Sequence, residues 1–126
     1  MGLLNGLLGN AGTANPEELT KEYKNLLIED ETIDIGFKIM RDTFIFTNLR
    51  LILVDKQGIT GKKIEYLSYS YKSISRFSIE TVGHFDLDAE LKIWVFSEQT
   101  PSISKRFNKQ VNIYDVNKAL TTYVCK

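Results

Sequence analysis

A mainly β fold is predicted for this chain: a curled antiparallel barrel of about seven strands, preceded by an N-terminal helix and capped by a C-terminal one. Three observations predict it. The stretch Thr47-Asn48-Leu49-Arg50-Leu51-Ile52-Leu53-Val54-Asp55-Lys56-Gln57-Gly58 reads as a strand end, a tight polar reversal, and a second strand stopped by a polar run and glycine. Further strand patterns follow at short intervals, as in a sandwich or barrel. The last segment then changes period, with Ile113, Val116, Leu120, Tyr123 and Val124 at helical spacing.

The elements follow in order. Asn15-Pro16-Glu17-Glu18 is a helix start: Asn caps free N–H groups, proline suits the first turn, and two acids sit over the positive end of the dipole. Leu19, Tyr23, Leu26 and Leu27 continue one apolar face, so a helix is predicted over 15–28, ending before Glu31. Residues 1–14 form an arm with a repeated Gly-Leu-Leu unit, whose leucines pack on the domain, on a neighbouring subunit, or on lipid. N-myristoylation is not expected, because Gly6 stands where that pattern wants Ser or Thr.

Ile33, Ile35, Phe37 and Ile39 alternate with Asp34, Gly36 and Lys38, the pattern of a strand with one wet face. Arg41-Asp42 reads as a tight turn. Phe44 and Phe46 alternate with Thr43, Ile45 and Thr47, and Leu49 to Val54 is an apolar run interrupted only by Arg50. Gly58 to Gly61 reverses the chain. In Ile64 to Tyr71, the residues Leu67, Tyr69 and Tyr71 fall on one side and Ser68 and Ser70 on the other. Arg76 to Glu80 alternates again, and Val82 to Asp88 is a loop bearing His84. Leu91, Ile93 and Val95 alternate with Lys92, Trp94 and Phe96, and Ile103 to Phe107 is a weaker strand after Pro101. The barrel is thus predicted over 31–108. The final helix, capped by Asn112, is predicted over 112–125 with its stripe covering the barrel mouth.

Composition narrows the function. The 126 residues suit one domain, 43% hydrophobic and 11% aromatic, enough for a real core. Sixteen cations balance sixteen carboxylates, which removes the bulk attraction a nucleic-acid binder carries. Charge is uneven, however: residues 1–30 hold two lysines against five carboxylates, and residues 91–126 hold six cations against two. The two ends could meet within one subunit or between neighbours. Cys125 is the lone cysteine, so a reducing compartment fits. No secretory signal and no membrane-length apolar run is expected, and the expected location is the cytoplasm.

The turn Thr47-Asn48-Leu49-Arg50 running into Leu51-Ile52-Leu53-Val54-Asp55, then Gly61-Lys62-Lys63, Tyr69-Ser70-Tyr71-Lys72-Ser73-Ile74, Phe77-Ser78-Ile79-Glu80 and the closing helix together resemble the bacterial pleckstrin-homology domains. The resemblance covers roughly Glu31 to Lys126, with the N-terminal helix as a familiar extension. It implies a PH-like barrel of two bent sheets packed nearly orthogonally and capped by the C-terminal helix. It also implies a ring former, a cyclic homo-oligomer with a pentamer as the first expectation, presenting a polar surface to an as yet unknown protein partner. The residues alone imply only unpaired sheet edges that need blunting or pairing.

The candidate chemistry is sparse. Arg41, Asp42, Asn48, Arg50 and Lys63, near strand ends, are the candidate polar interaction surface. Arg50 among apolar residues has a structural reading too, a guanidinium on the sheet face paired with a carboxylate such as Asp34 or Glu65. Eukaryotic relatives that grip phosphoinositides use a basic first hairpin. Here that hairpin offers Lys38 and Arg41 beside Asp42, a poor polyphosphate cradle. Lys105, Arg106 and Lys109 are the candidate patch for an anionic partner or bilayer, with a charged, aggregation-resistant edge strand as the other reading. His84 with Asp86 and Asp88 is a solvent-exposed loop rather than an expected metal site, and neither Gly-rich phosphate loop nor nucleophile elbow occurs. No cofactor, catalytic residue, or nucleic-acid partner is expected. A membrane partner is the alternative to self-assembly, using the basic patch and the N-terminal leucines.

Overall fold

The structure, a computed structural model, describes residues 13–81, 88–108 and 110–126. The chain forms two compact units, Met1–Tyr69 and Ser70–Lys126. In chain order the elements are β1 (Thr13–Ala14), α1 (Pro16–Glu22), β2 (Ile33–Ile39), β3 (Asp42–Thr47), β4 (Arg50–Gln57), β5 (Lys63–Ser70), β6 (Ile74–Glu80), β7 (Ala89–Val95), β8 (Ile103–Phe107) and α2 (Ile113–Val124). These eight described strands form two antiparallel sheets, β1-β2-β3-β4-β5 and β6-β7-β8. Two sheets are what the resemblance implies, but the expected barrel is not closed: among the described residues, no ladder joins the strands into a single cycle. The extra strand is β1, a two-residue pairing of Thr13 with Phe37 and Ala14 with Gly36, too short to carry a period.

In the first unit, Asn15 accepts from the Glu17 N–H as N-cap, and Pro16 opens α1. The predicted helix over 15–28 is corrected in its second half. The α-helical turns stop at Glu22, and a single tighter 3-10 turn, Lys24–Leu26, follows. This shortening lets Leu19 and Tyr23 turn onto the sheet. They pack there with Ile33, Ile45, Ile52 and Val54, helped by the partly buried Ala14, Leu26 and Leu27.

A β-bulge at Asp34 changes the expected face assignment of β2. Ile33 pairs with Thr47 but Ile35 pairs with Phe46, so one extra residue intervenes and the two isoleucines face opposite sides. Ile33 joins the helix-facing cluster, while Ile35, Phe37 and Ile39 lie with Phe44 and Phe46 on the other side. The face expected to be wet is largely covered. Gly36 is buried, and a Cβ at that position would overlap the Leu19 side chain, so the glycine is what lets α1 sit down on the strand. β3 and β4 are buried on both faces from Thr43 to Thr47 and from Leu51 to Val54.

In the second unit, the central strand β7 alternates cleanly: Ala89, Leu91, Ile93 and Val95 are buried, and Glu90, Lys92 and Trp94 lie opposite. Arg76 stacks on Trp94, its guanidinium 4.4 Å from the ring centroid, a cation–π contact across the ladder. Helix α2 spans Ile113–Val124 inside the expected 112–125, with Asn112 as its N-cap accepting from the Tyr114 N–H. It packs on β6 and on the 3-10 turn Tyr71–Ser73, where Tyr123 stacks on Tyr71 at 5.0 Å.

Candidate functional site

The β3–β4 turn holds a dense polar network, and its centre is a residue that the sequence does not single out. Glu31 is a buried carboxylate, its side chain only 1% exposed. Arg50 reaches it with two parallel bonds, Nε to Oε2 at 2.8 Å and an amino group to Oε1 at 3.0 Å. The Thr47 hydroxyl donates to Oε2 at 2.8 Å, and the Ile28 N–H donates to Oε1 at 3.2 Å. Arg50 also donates to the Leu26 carbonyl and to the Ser68 hydroxyl. The Arg50 guanidinium is the chief cause holding the Glu31 carboxyl below its usual range. Burial opposes it, and the Thr47 and Ile28 donors help. Arg50 thus has the structural role anticipated for it, a guanidinium paired with a carboxylate, and Glu31 is such a carboxylate.

Asn48 completes the arrangement by closing a reciprocal bond with the loop. Its N–H donates to the Thr32 carbonyl, its side-chain oxygen accepts from the Thr32 N–H at 2.8 Å, and its amide donates to the Asp30 carbonyl. Asp30 itself is left-handed, with φ of 70°. Thr47 turns the corner by accepting from the N–H groups of Leu49 and Arg50. The motif read as a polar reversal is therefore a clamp: it fastens the α1–β2 connection to the β3–β4 turn.

The other predicted surface residues lie at the opposite end of the sheet. Five strand steps separate Asp42 from Thr47, roughly 16 Å at the usual rise. The turn expected at Arg41-Asp42 falls one residue earlier, at Met40-Arg41, because Asp42 pairs with Ile39 and opens β3. The Arg41 guanidinium donates to the carbonyls of Gly58 and Ile59, and its own carbonyl accepts from the Lys56 N–H. Asp42 stands opposite Asp55 across the ladder, and Asp55 accepts from Gln57. Lys63 is exposed at the start of β5. The five residues are thus divided into two groups, Asn48 with Arg50 and Arg41 with Asp42 and Lys63.

The candidate basic patch is divided as well. Along β8, Lys105 lies on the side of the buried Ile103 and Phe107, and Arg106 lies on the opposite side with Ser104. Lys109 and His84 are outside the described residues, as is the arm up to residue 12. Among the described residues, no group of three or more His, Cys, Asp or Glu side chains could hold a metal, and no helix is long and apolar enough to cross a membrane. Strand β5 draws notice instead. It is eight residues long, ends the five-stranded sheet, and leaves Ile64 and Tyr66 exposed, at 38% and 45%.

Two antiparallel sheets, a helix-packed first sheet and a capped C-terminal helix define a small mainly β module of pleckstrin-homology type. The chain belongs to the bacterial PH domain family, whose model matches residues 2–124. It is 54% identical over 125 residues to the uncharacterized protein YjqA of Bacillus subtilis (strain 168), an alignment covering 99% of each chain. It is 31% identical over 105 residues to the uncharacterized protein YozO of the same organism, covering 83% of this chain and 89% of that one. Among solved structures it is similar to a pleckstrin homology domain from Shewanella amazonensis SB2B, with TM-score 0.81, 40% identity, and coverage of 96% and 97%. A DUF1696 family protein with a pleckstrin-homology domain from Shewanella loihica PV-4 gives TM-score 0.77 and 40% identity, covering 92% of this chain and 98% of that one.

Proposed function

We infer that this chain is a non-enzymatic interaction module of the cytoplasm that assembles with copies of itself into a ring and meets a protein partner on the composite surface. The observation that carries this reading is β5. An eight-residue strand at the end of a sheet offers a row of backbone groups to another chain, and proteins usually blunt such an edge with charge, proline or a bulge. Here Lys63 and Glu65 are its only charged residues, no proline interrupts it, and Ile64 and Tyr66 add exposed apolar surface. The ring-forming habit implied by the family resemblance supports the same reading, with five subunits as the first expectation.

Light scattering on the purified chain tests it. The expected result is a discrete multimer that Ile64→Lys converts to monomer without loss of β-sheet signal. A wild-type monomer at all concentrations overturns the reading.

A further inference from the structure

The turn between β7 and β8 breaks a local rule of backbone chemistry. Among the described residues, the non-glycine positions with positive φ are Asp30, Met40 and Phe96, and Phe96, at 52°, is the bulkiest. A large aromatic side chain is strained in that region, where Gly, Asn or Asp is usual. Phe96 gains little burial in return, because it is 69% exposed. The turn is nevertheless held firmly. The Phe96 N–H donates to the Ser73 carbonyl at 2.7 Å, the Glu98 N–H to the Val95 carbonyl, and the Trp94 indole N–H to the Gln99 carbonyl at 3.1 Å. Arg76 stacks on Trp94, and the exposed Lys72 precedes the Ser73 that holds Phe96. Glu98 is the carboxylate of this turn, and it accepts from Ser102. Tryptophan and arginine beside a fixed, protruding phenylalanine are typical of the anchor clusters that carry most of the binding energy at protein interfaces.

A ring of more than two chains needs two different surfaces that meet head to tail, since a surface that meets itself stops at a dimer. Strand β5 supplies one of the two. Ile64, Tyr66 and Ser68 lie on its α1 side, where Tyr66 meets Tyr23 edge-on with ring centroids 6.4 Å apart and Ser68 accepts from Arg50. The Glu22 carboxylate lies against the Tyr23 phenol. Lys21 and Lys24 are near in the chain, yet residues 15–31 hold six carboxylates against those two lysines. The β5 face is thus an apolar shelf with negative charge beside it. An aromatic turn flanked by Lys72 and Arg76 is its complement in both shape and sign.

We propose that the Phe96 turn of one copy packs on the Ile64–Tyr66 shelf of the next, with Lys72 and Arg76 facing the acidic side of that neighbour's α1. This pairing rests on the self-assembly proposed above, and it names the residues that a neighbour brings to β5. It also gives the strained backbone a purpose: the aromatic ring is fixed outward before association, so little freedom is lost when it is received.

Light scattering on the full chain tests the pairing, with each variant checked for native circular dichroism. Phe96→Gly removes the ring and suits the left-handed backbone, so it keeps the fold. Association is expected to weaken at least about thirtyfold in Phe96→Gly and to be largely kept in Phe96→Tyr. Chains carrying Phe96→Gly and chains carrying Ile64→Lys are then mixed in equal amounts at the highest soluble concentration. Each is expected to be monomeric alone, and the mixture to give dimers, because one intact anchor still meets one intact shelf. A wild-type multimer that Phe96→Gly leaves unchanged overturns this pairing while self-assembly stands. A mixture that stays monomeric places the Phe96 contact elsewhere than on β5 and overturns the pairing too. A wild-type monomer at all concentrations removes self-assembly itself, and the pairing with it.

Discussion

Glu31 and Arg50 show how one side-chain pair decides the geometry of a turn. The carboxylate has four polar partners' atoms around it and almost no water, so removing either charge leaves the other without its counterpart in a poorly solvated place. Breaking a buried pair from one side costs about 3–5 kcal/mol, far above the fraction of a kcal/mol typical of a surface ion pair. Arg50 retains some exposure, so Glu31→Ala and Arg50→Ala are expected near the lower end of that range in chemical denaturation. The same pair sets an acid limit. The folded state holds Glu31 below its usual carboxylate range, so its stabilising contribution is complete above the unfolded value of about 4.3 and is lost as pH falls through the lower folded value. Glu31→Gln should flatten the acid side of the stability–pH curve while lowering the plateau. An unchanged acid slope would show that other carboxylates set it.

At the scale of elements, the seating of α1 on β2 depends on an absent side chain. Gly36 is buried without a left-handed φ, and its role is space: a methyl group there meets the Leu19 side chain. Gly36→Ala is expected to cost about 1–3 kcal/mol by overpacking, and Leu19→Ala about 2–5 kcal/mol by leaving a cavity. Because the two changes relieve each other, the double variant should be more stable than the sum of the single effects allows, by about 1 kcal/mol in a double-mutant cycle. Strict additivity would mean that the helix shifts as a unit. Sequence patterning locates both elements but not their contact. The alternation in β2 predicts a single face, and the bulge at Asp34, invisible in the pattern, moves Ile33 to the helix side.

At the scale of the whole molecule, the doubly buried strands β3 and β4 and the exposed strand β5 define opposite extremes of protection. Amide exchange should be slowest at Phe44–Phe46 and Leu51–Val54. In the assembled protein β5 should be protected as well, and Ile64→Lys should release its amides by a factor of about ten or more while leaving β3 and β4 protected. Loss of protection in all three strands would instead report general destabilisation.

Much of the architecture is decided by local chemistry and was therefore readable from residue order. Asn15-Pro16 and Asn112 start helices because their side chains and rings suit the free N–H groups of a first turn. Most strands announce themselves by period-two alternation, and the order of these signals places the chain among the bacterial PH domains. The polar sites depend instead on which distant residues the fold brings together. Glu31, in an undistinguished acidic stretch, meets Arg50 nineteen positions away. Arg41 and Asn48, both singled out as surface candidates, hold turns together at opposite ends of the sheet. Lys56, Lys62 and Lys63 join Lys38 at one end only because antiparallel pairing returns the chain there. Propensity and period act over a few residues, whereas the partner of a charge is set by strand register and tertiary packing, and no short-range pattern encodes either.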